Sequence, residues 1–88
     1  MPKIEASQRF KDAYRDLPSE IQVKVNKALR LLAEDFHHPS LQTKPIQGVP
    51  GIYEARVDQN YRITYERLPG SIVRVRTVGK HDGTLRHP

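Results

Sequence analysis

The chain has 88 residues, 36% of them apolar and 28% charged, with 15 Lys and Arg against 10 Asp and Glu and no cysteine. A single domain spanning residues 1–88 is expected, with a modest core, since folding at this length buries only roughly 60–65% of the unfolded chain's surface. A disulfide framework and a thiolate metal site are excluded, and no apolar run approaches the roughly 18 residues of a membrane span, so a soluble cytoplasmic protein is expected.

In chain order, "KIEAS" alternates weakly and is a candidate first strand. From Ser7 the spacing turns helical, with Phe10, Tyr14 and Leu17 at i, i+4 and i+7. Pro18 closes that helix. "PSEIQ" opens the next, with Ser19 as N-cap and Gln22 completing a capping box. Ile21, Val25, Ala28, Leu29 and Leu32 form its apolar stripe, and Lys24, Lys27 and Arg30 its outer side. Two helices joined this tightly make an αα-hairpin. "HHPSLQTKPIQGVPG" holds three prolines and two glycines in 15 residues and reads as loop, with His37 and His38 idle or structural at a helix end.

After that loop the period becomes two. Tyr53, Ala55 and Val57 face one way and Glu54 and Arg56 the other. Tyr61, Ile63 and Tyr65 alternate with Arg62, Thr64 and Glu66, and Val73 and Val75 with Arg74 and Arg76. Directly opposed antiparallel residues share a face, so a three-residue loop Asp58-Gln59-Asn60, with Asn60 left-handed, pairs Arg56 with Arg62. The same reasoning around "LPGS" pairs Arg62 with Arg76. The expectation is an α+β fold: an N-terminal strand, an αα-hairpin, then antiparallel strands forming a small sheet with helices on one face. The other face carries a row Arg56–Arg62–Arg76, a repulsive arrangement unless an anion sits on it.

Charge favours a polyanion partner. Residues 1–43 carry seven Lys and Arg against six Asp and Glu, and residues 44–88 carry eight against four. Arginine grips phosphate bidentately, and His81 leaves the strand that bears Arg74 and Arg76, so it overhangs the basic face. Histidine is the side chain suited to proton transfer near neutrality. His81, Asp82, His87 and Glu54 have no metal-ligand spacing on a rigid element, so neither a metal nor another cofactor is expected. Cations plus a titratable group suit cleavage of RNA by its own 2′-hydroxyl, a reaction that requires proton transfers and positive charge around the phosphorane.

The order and spacing of "LP..IQ.KV..AL.LL", "GIYEARVDQNYRITYE" and "VRTVGKHD" resemble the RelE/ParE superfamily of bacterial type II toxins across nearly the whole chain. The resemblance implies a metal-independent endoribonuclease that cuts messenger RNA in the A site of the 70S ribosome. It also implies a RelB-like antitoxin that covers the basic face and carries the toxin to operator DNA. Carried over by position, Arg62 is the phosphate-gripping arginine, and Glu54 and Arg56 stand where RelE has two lysines. His81 stands where RelE has an arginine and the YoeB-like and YafQ-like branches a histidine. His87 falls near RelE's C-terminal tyrosine. The implied catalytic set is therefore Arg62, His81, Glu54, Arg56 and His87, with Lys44, Arg56, Arg62, Arg74, Arg76 and Lys80 on the RNA.

This sequence departs from that pattern in three places. Glu54 removes a cation, no aromatic residue follows Val78, and the tail to Pro88 is expected to lack a helix. Two other readings stay open: a ParE-like DNA gyrase inhibitor, and a non-catalytic member acting only with antitoxin and operator DNA.

Overall fold

Ser7 breaks the extended backbone of the first strand: its Oγ accepts from Phe10 N at 3.0 Å and so caps the helix that follows. The computed structural model describes residues 2–88, ordered β1 (Lys3–Ala6), α1 (Gln8–Arg15), α2 (Ser19–Glu34), β2 (Lys44–Pro45), β3 (Ile52–Arg56), β4 (Tyr61–Leu68), β5 (Ile72–Lys80) and α3 (His81–Arg86). The strands form one sheet in the order β1-β5-β4-β3-β2, with β1 parallel to β5 and the other pairs antiparallel.

The α2 cap differs from the capping box expected at Ser19. Pro18 is the cap residue, and its carbonyl accepts from Ile21 N at 2.9 Å and Gln22 N at 3.0 Å. Proline's fixed φ suits a helix start, so the helix begins one residue earlier and Ser19 lies inside it. Gln22 turns elsewhere, donating from Nε2 to the Tyr14 carbonyl at 2.9 Å and tying the two helices together.

One face of the sheet meets the helices. Ala55, Ile63, Tyr65, Val73, Val75 and Val78 pack there against Phe10, Ile21, Val25, Ala28 and Leu32, as the two periodicities require. Beside this core the Arg67 guanidinium carbon lies 4.3 Å from the Phe36 ring centroid and 4.0 Å from that of Tyr53. That cation–π sandwich ties the segment after α2 to the sheet.

The proline-rich segment is more ordered than a loop. It contains a 3-10 turn at Pro39–Leu41, capped by His38 Nδ1, which accepts from Ser40 N at 3.2 Å. It also contains β2, where Pro45 occupies the edge of the sheet and its missing N–H costs no ladder bond. Leu41 is buried in the core cluster and Ile46 is also buried, an apolar anchorage that proline counting does not reveal.

Arg56 pairs with Arg62, as face agreement required. Asn60, however, is not left-handed: among the described non-glycine residues only Gln42 and Ser71 have positive φ. The Asp58 carboxylate closes the turn instead, its Oδ1 accepting from Asn60 N at 2.8 Å and Tyr61 N at 2.9 Å.

The β4–β5 register departs from expectation. Arg62 pairs with Gly79, not with Arg76. The connection takes three residues, with Gly70 (φ 82°) and Ser71 (φ 59°) both left-handed, and Leu68 faces Ile72. Further along, a bulge opposite Thr64 and Tyr65 adds Arg76 to β5. The bulge keeps Val75 and Val78 on the core face while moving every later residue along. The continuous arginine row therefore does not form.

The tail departs too. His81–Arg86 is a helix, α3, lying over the sheet face opposite α1 and α2. Beyond it the Pro88 main-chain oxygen accepts from Thr64 Oγ1 at 3.1 Å and Arg76 Nε at 3.1 Å, and Arg9 Nη2 donates to the His87 oxygen. Gly79 makes this packing possible, because a Cβ there would stand 2.6 Å from Thr84 Oγ1.

Candidate functional site

Arg62, Lys80 and His81 come together at one end of the sheet. They line an open cleft with Asn60, Tyr61 and Gly83, where the β3–β4 turn meets the β5–α3 junction. His81 N donates to the Asn60 carbonyl at 2.8 Å, which joins the two walls. The turn is itself held from α2, since Lys24 Nζ lies 3.1 Å from Asp58 Oδ2.

Asp58 titrates below the usual carboxylate range. Burial pushes it up, but hydrogen bonds from Asn60 N, Lys24 and Tyr61 N together outweigh burial. A depressed folded-state value stabilises the fold above the ordinary carboxylate range, and that contribution is lost as pH falls through the folded value. Asp58→Ala is thus expected to lower stability by about 1–2 kcal/mol at neutral pH. The gap to wild type should narrow below about pH 4. Urea denaturation of both proteins across pH checks this, and a gap that widens in acid contradicts it.

His81 Nδ1 lies 3.0 Å from Asp82 Oδ1. Asp82 is held below its usual value first by that hydrogen bond and then by charge from His81 and Arg86. An ionised carboxylate only accepts, so Nδ1 carries the proton and Nε2 remains available to take or give one. Asp82 thus positions the imidazole.

Arg62 is more engaged than a solvated outer-face residue. Its side chain is 15% exposed, with Nη1 donating to the Asp58 carbonyl at 2.6 Å and the Tyr61 carbonyl at 3.0 Å. Its Nε lies 3.8 Å from Glu54 Oε1, and Lys44 Nζ lies 4.0 Å from the same oxygen. Glu54 is buried and balances Arg62 rather than lining the cleft.

The remaining sequence candidates lie elsewhere. Arg56 reaches Gln42 Oε1 at 3.5 Å and, with Lys24 and Lys27, borders a groove on the α2 side. Arg74 bridges Glu5 and Glu66, each at 3.4 Å, and Arg76 Nη1 meets Glu66 at 3.0 Å. His87 is exposed beyond the end of α3 and does not line the cleft. Instead of a row of cations, the outer face is a lattice of alternating charge, the arrangement that cross-strand repulsion selects.

Sequence reasoning gave Asp58, Asn60 and Gly79 no part in the site, although each positions it. The Asx-type turn signal in "DQN" and the glycine before "KHD" were the available signs. Gly79→Ala is expected to cost about 1–3 kcal/mol by overpacking against Thr84. The Gly79→Ala/Thr84→Ala double variant should recover most of that loss in urea denaturation, and an additive double variant would contradict the contact.

No protein-family model matches the sequence, and none of the curated proteins is similar to it. Solved structures are similar. YafQ from E. coli strain BL21(DE3) superposes with a TM-score of 0.76 at 18% identity, covering 96% of this chain and 98% of that one. A chain of the archaeal RelE–RelB complex from Pyrococcus horikoshii OT3 gives 0.76 at 13% identity, covering 92% and 96%. The YoeB/ParE toxin from Agrobacterium tumefaciens gives 0.75 at 18% identity, covering 90% and 98%. The sheet order, the helix pair on one face and the cleft at the end of β5 are thus set in the fold shared by the RelE, YafQ and YoeB/ParE toxins.

Proposed function

We propose that the protein is a type II toxin of the RelE/ParE superfamily that cleaves messenger RNA on the ribosome and is neutralised by a RelB-like antitoxin. The observation that carries this reading is the convergence of Arg62, Lys80 and an Asp82-held His81 in one open cleft. The RNA supplies its own nucleophile, so the protein need only move protons and stabilise charge. Neutral His81 takes the 2′-hydroxyl proton at Nε2 as the O2′–P bond forms. Arg62 and Lys80 stabilise the charge on the phosphorane. The P–O5′ bond then breaks, and the imidazolium returns the proton to O5′, leaving a 2′,3′-cyclic phosphate.

The fold shared with chains from toxin–antitoxin complexes supports an antitoxin partner, through which operator DNA is reached. Glu54 beside Arg62 favours the binding-only reading, because it offsets the cation on which catalysis depends. Cleavage of a programmed message on purified ribosomes, mapped by primer extension, decides between them. Cuts within A-site codons are expected. No cutting by folded protein, with gyrase supercoiling inhibited, would establish the ParE-like reading, and neither effect would leave the binding role.

A further inference from the structure

His38 and Ser40 lie outside the cleft and form a pair of their own at the 3-10 turn after α2. Ser40 N donates to His38 Nδ1 at 3.2 Å. A main-chain N–H can only donate, so Nδ1 is the unprotonated ring nitrogen and Nε2 carries the hydrogen. The Ser40 hydroxyl stands 2.7 Å from the same Nδ1 and donates to it as well. That is within the reach at which a base activates a serine nucleophile. Ser40 is exposed, whereas the Ser7 hydroxyl is engaged, donating to the Arg76 carbonyl at 2.8 Å and accepting from Phe10 N.

The surroundings of Ser40 select the group it takes. Ser40 lines the groove on the α2 side together with Lys24, Lys27 and Arg56. Lys24 is committed to Asp58, but Lys27 and Arg56 have no carboxylate partner among the described residues. Arg56 reaches only the neutral amide oxygen of Gln42, at 3.5 Å. A phosphoryl group on Oγ carries about −1.5 to −2 charge near neutrality, which matches these two cations. We propose that Ser40 is a phosphoacceptor and that the groove cradles its phosphoserine. The Oγ–P bond forms as the bond from phosphorus to the donor's leaving oxygen breaks. The donor is a phosphoanhydride: a nucleoside triphosphate that leaves as the diphosphate, or an acyl phosphate that leaves as the carboxylate. The hydroxyl proton passes to His38 Nδ1, which then donates to a phosphate oxygen, while Lys27 and Arg56 hold the others. Phosphorylation thus switches the groove from cationic to nearly neutral. None of these groups lines the cleft, so the inference stands apart from the RNA reading.

The test uses the full chain with two donors, acetyl phosphate alone and ATP with a bacterial serine/threonine kinase domain, and locates the phosphate by mass spectrometry. Phosphorylation is expected at Ser40, ahead of Ser7, Ser19 and Ser71. Labelling by acetyl phosphate, slowed about 100-fold in His38→Ala, assigns direct transfer with His38 as the base. Equal labelling of His38→Ala by acetyl phosphate overturns the part of His38. Labelling by the kinase alone assigns the nucleoside triphosphate as the source. No phosphate at Ser40 from either donor, or an equal rate at all the serines, overturns the phosphoacceptor. The cradle is read separately, on full chain made with phosphoserine encoded at position 40. Its phosphate is expected to titrate, by phosphorus NMR, below the about pH 6 of free phosphoserine. The Lys27→Ala/Arg56→Ala variant of the same protein should return it to that value. A phosphate that titrates as free phosphoserine does with both cations present overturns the cradle.

Discussion

Replacing Arg62 with alanine is expected to slow RNA cleavage by at least about 100-fold, the scale on which removing one donor to a developing oxyanion acts. The same change should also weaken the fold. Arg62 Nη1 holds the carbonyls of Asp58 and Tyr61, and its Nε lies beside the buried Glu54. Losing those bonds and leaving Glu54 with only the distant Lys44 costs about 1–3 kcal/mol. Sequence alone places Arg62 outside the core and implies an intact fold, but its 15% side-chain exposure argues otherwise. Cleavage must therefore be measured on protein shown to be folded by urea denaturation. Arg62→Lys separates the two effects, because it keeps the charge while losing the planar guanidinium whose Nη1 reaches both carbonyls as its Nε lies beside Glu54. A folded Arg62→Ala protein that cuts at the wild-type rate would remove Arg62 from the chemistry.

His81→Ala is expected to lower cleavage by about 10²–10⁴-fold with little change in stability, since the side chain is 46% exposed and its Asp82 bond is at the surface. Its main-chain N–H still reaches the Asn60 carbonyl, so the cleft keeps its shape. Added imidazole should restore part of the rate in this variant and none in Arg62→Ala. Asp82→Asn gives a finer test, because it removes the acceptor that holds the proton on Nδ1. A smaller loss is expected there, with the pH–rate profile displaced; an unchanged profile would mean that Asp82 does not position the imidazole. Equal cutting by wild type and His81→Ala would return α3 to a purely structural role.

Much of this molecule follows from local pattern. Apolar spacing of 3.6 in α2 and of two in β3, β4 and β5 selects the residues that meet the core, because period decides which side chains share a face. The Arg56–Arg62 pair was equally legible, since the turn joining β3 to β4 is short and a one-residue slip would bury charge. Residue type and strand position put Arg62 and His81 on the basic face, the family resemblance implied their part in the site, and the cleft contains both.

The rest needed contacts between distant parts of the chain. A bulge at Arg76 and a left-handed Gly70-Ser71 turn move β5 past β4 without disturbing the apolar alternation, so no hydrophobic pattern reports them. Which cation meets which carboxylate depends on that register, and Glu66 between Arg74 and Arg76 follows only once the strands are paired. The tail becomes a helix because Gly79 admits Thr84 and because Arg9, Thr64 and Arg76 hold the chain beyond it. A six-residue helix is too short to form from its own propensity, so its stability comes from tertiary packing that the sequence of those residues does not carry.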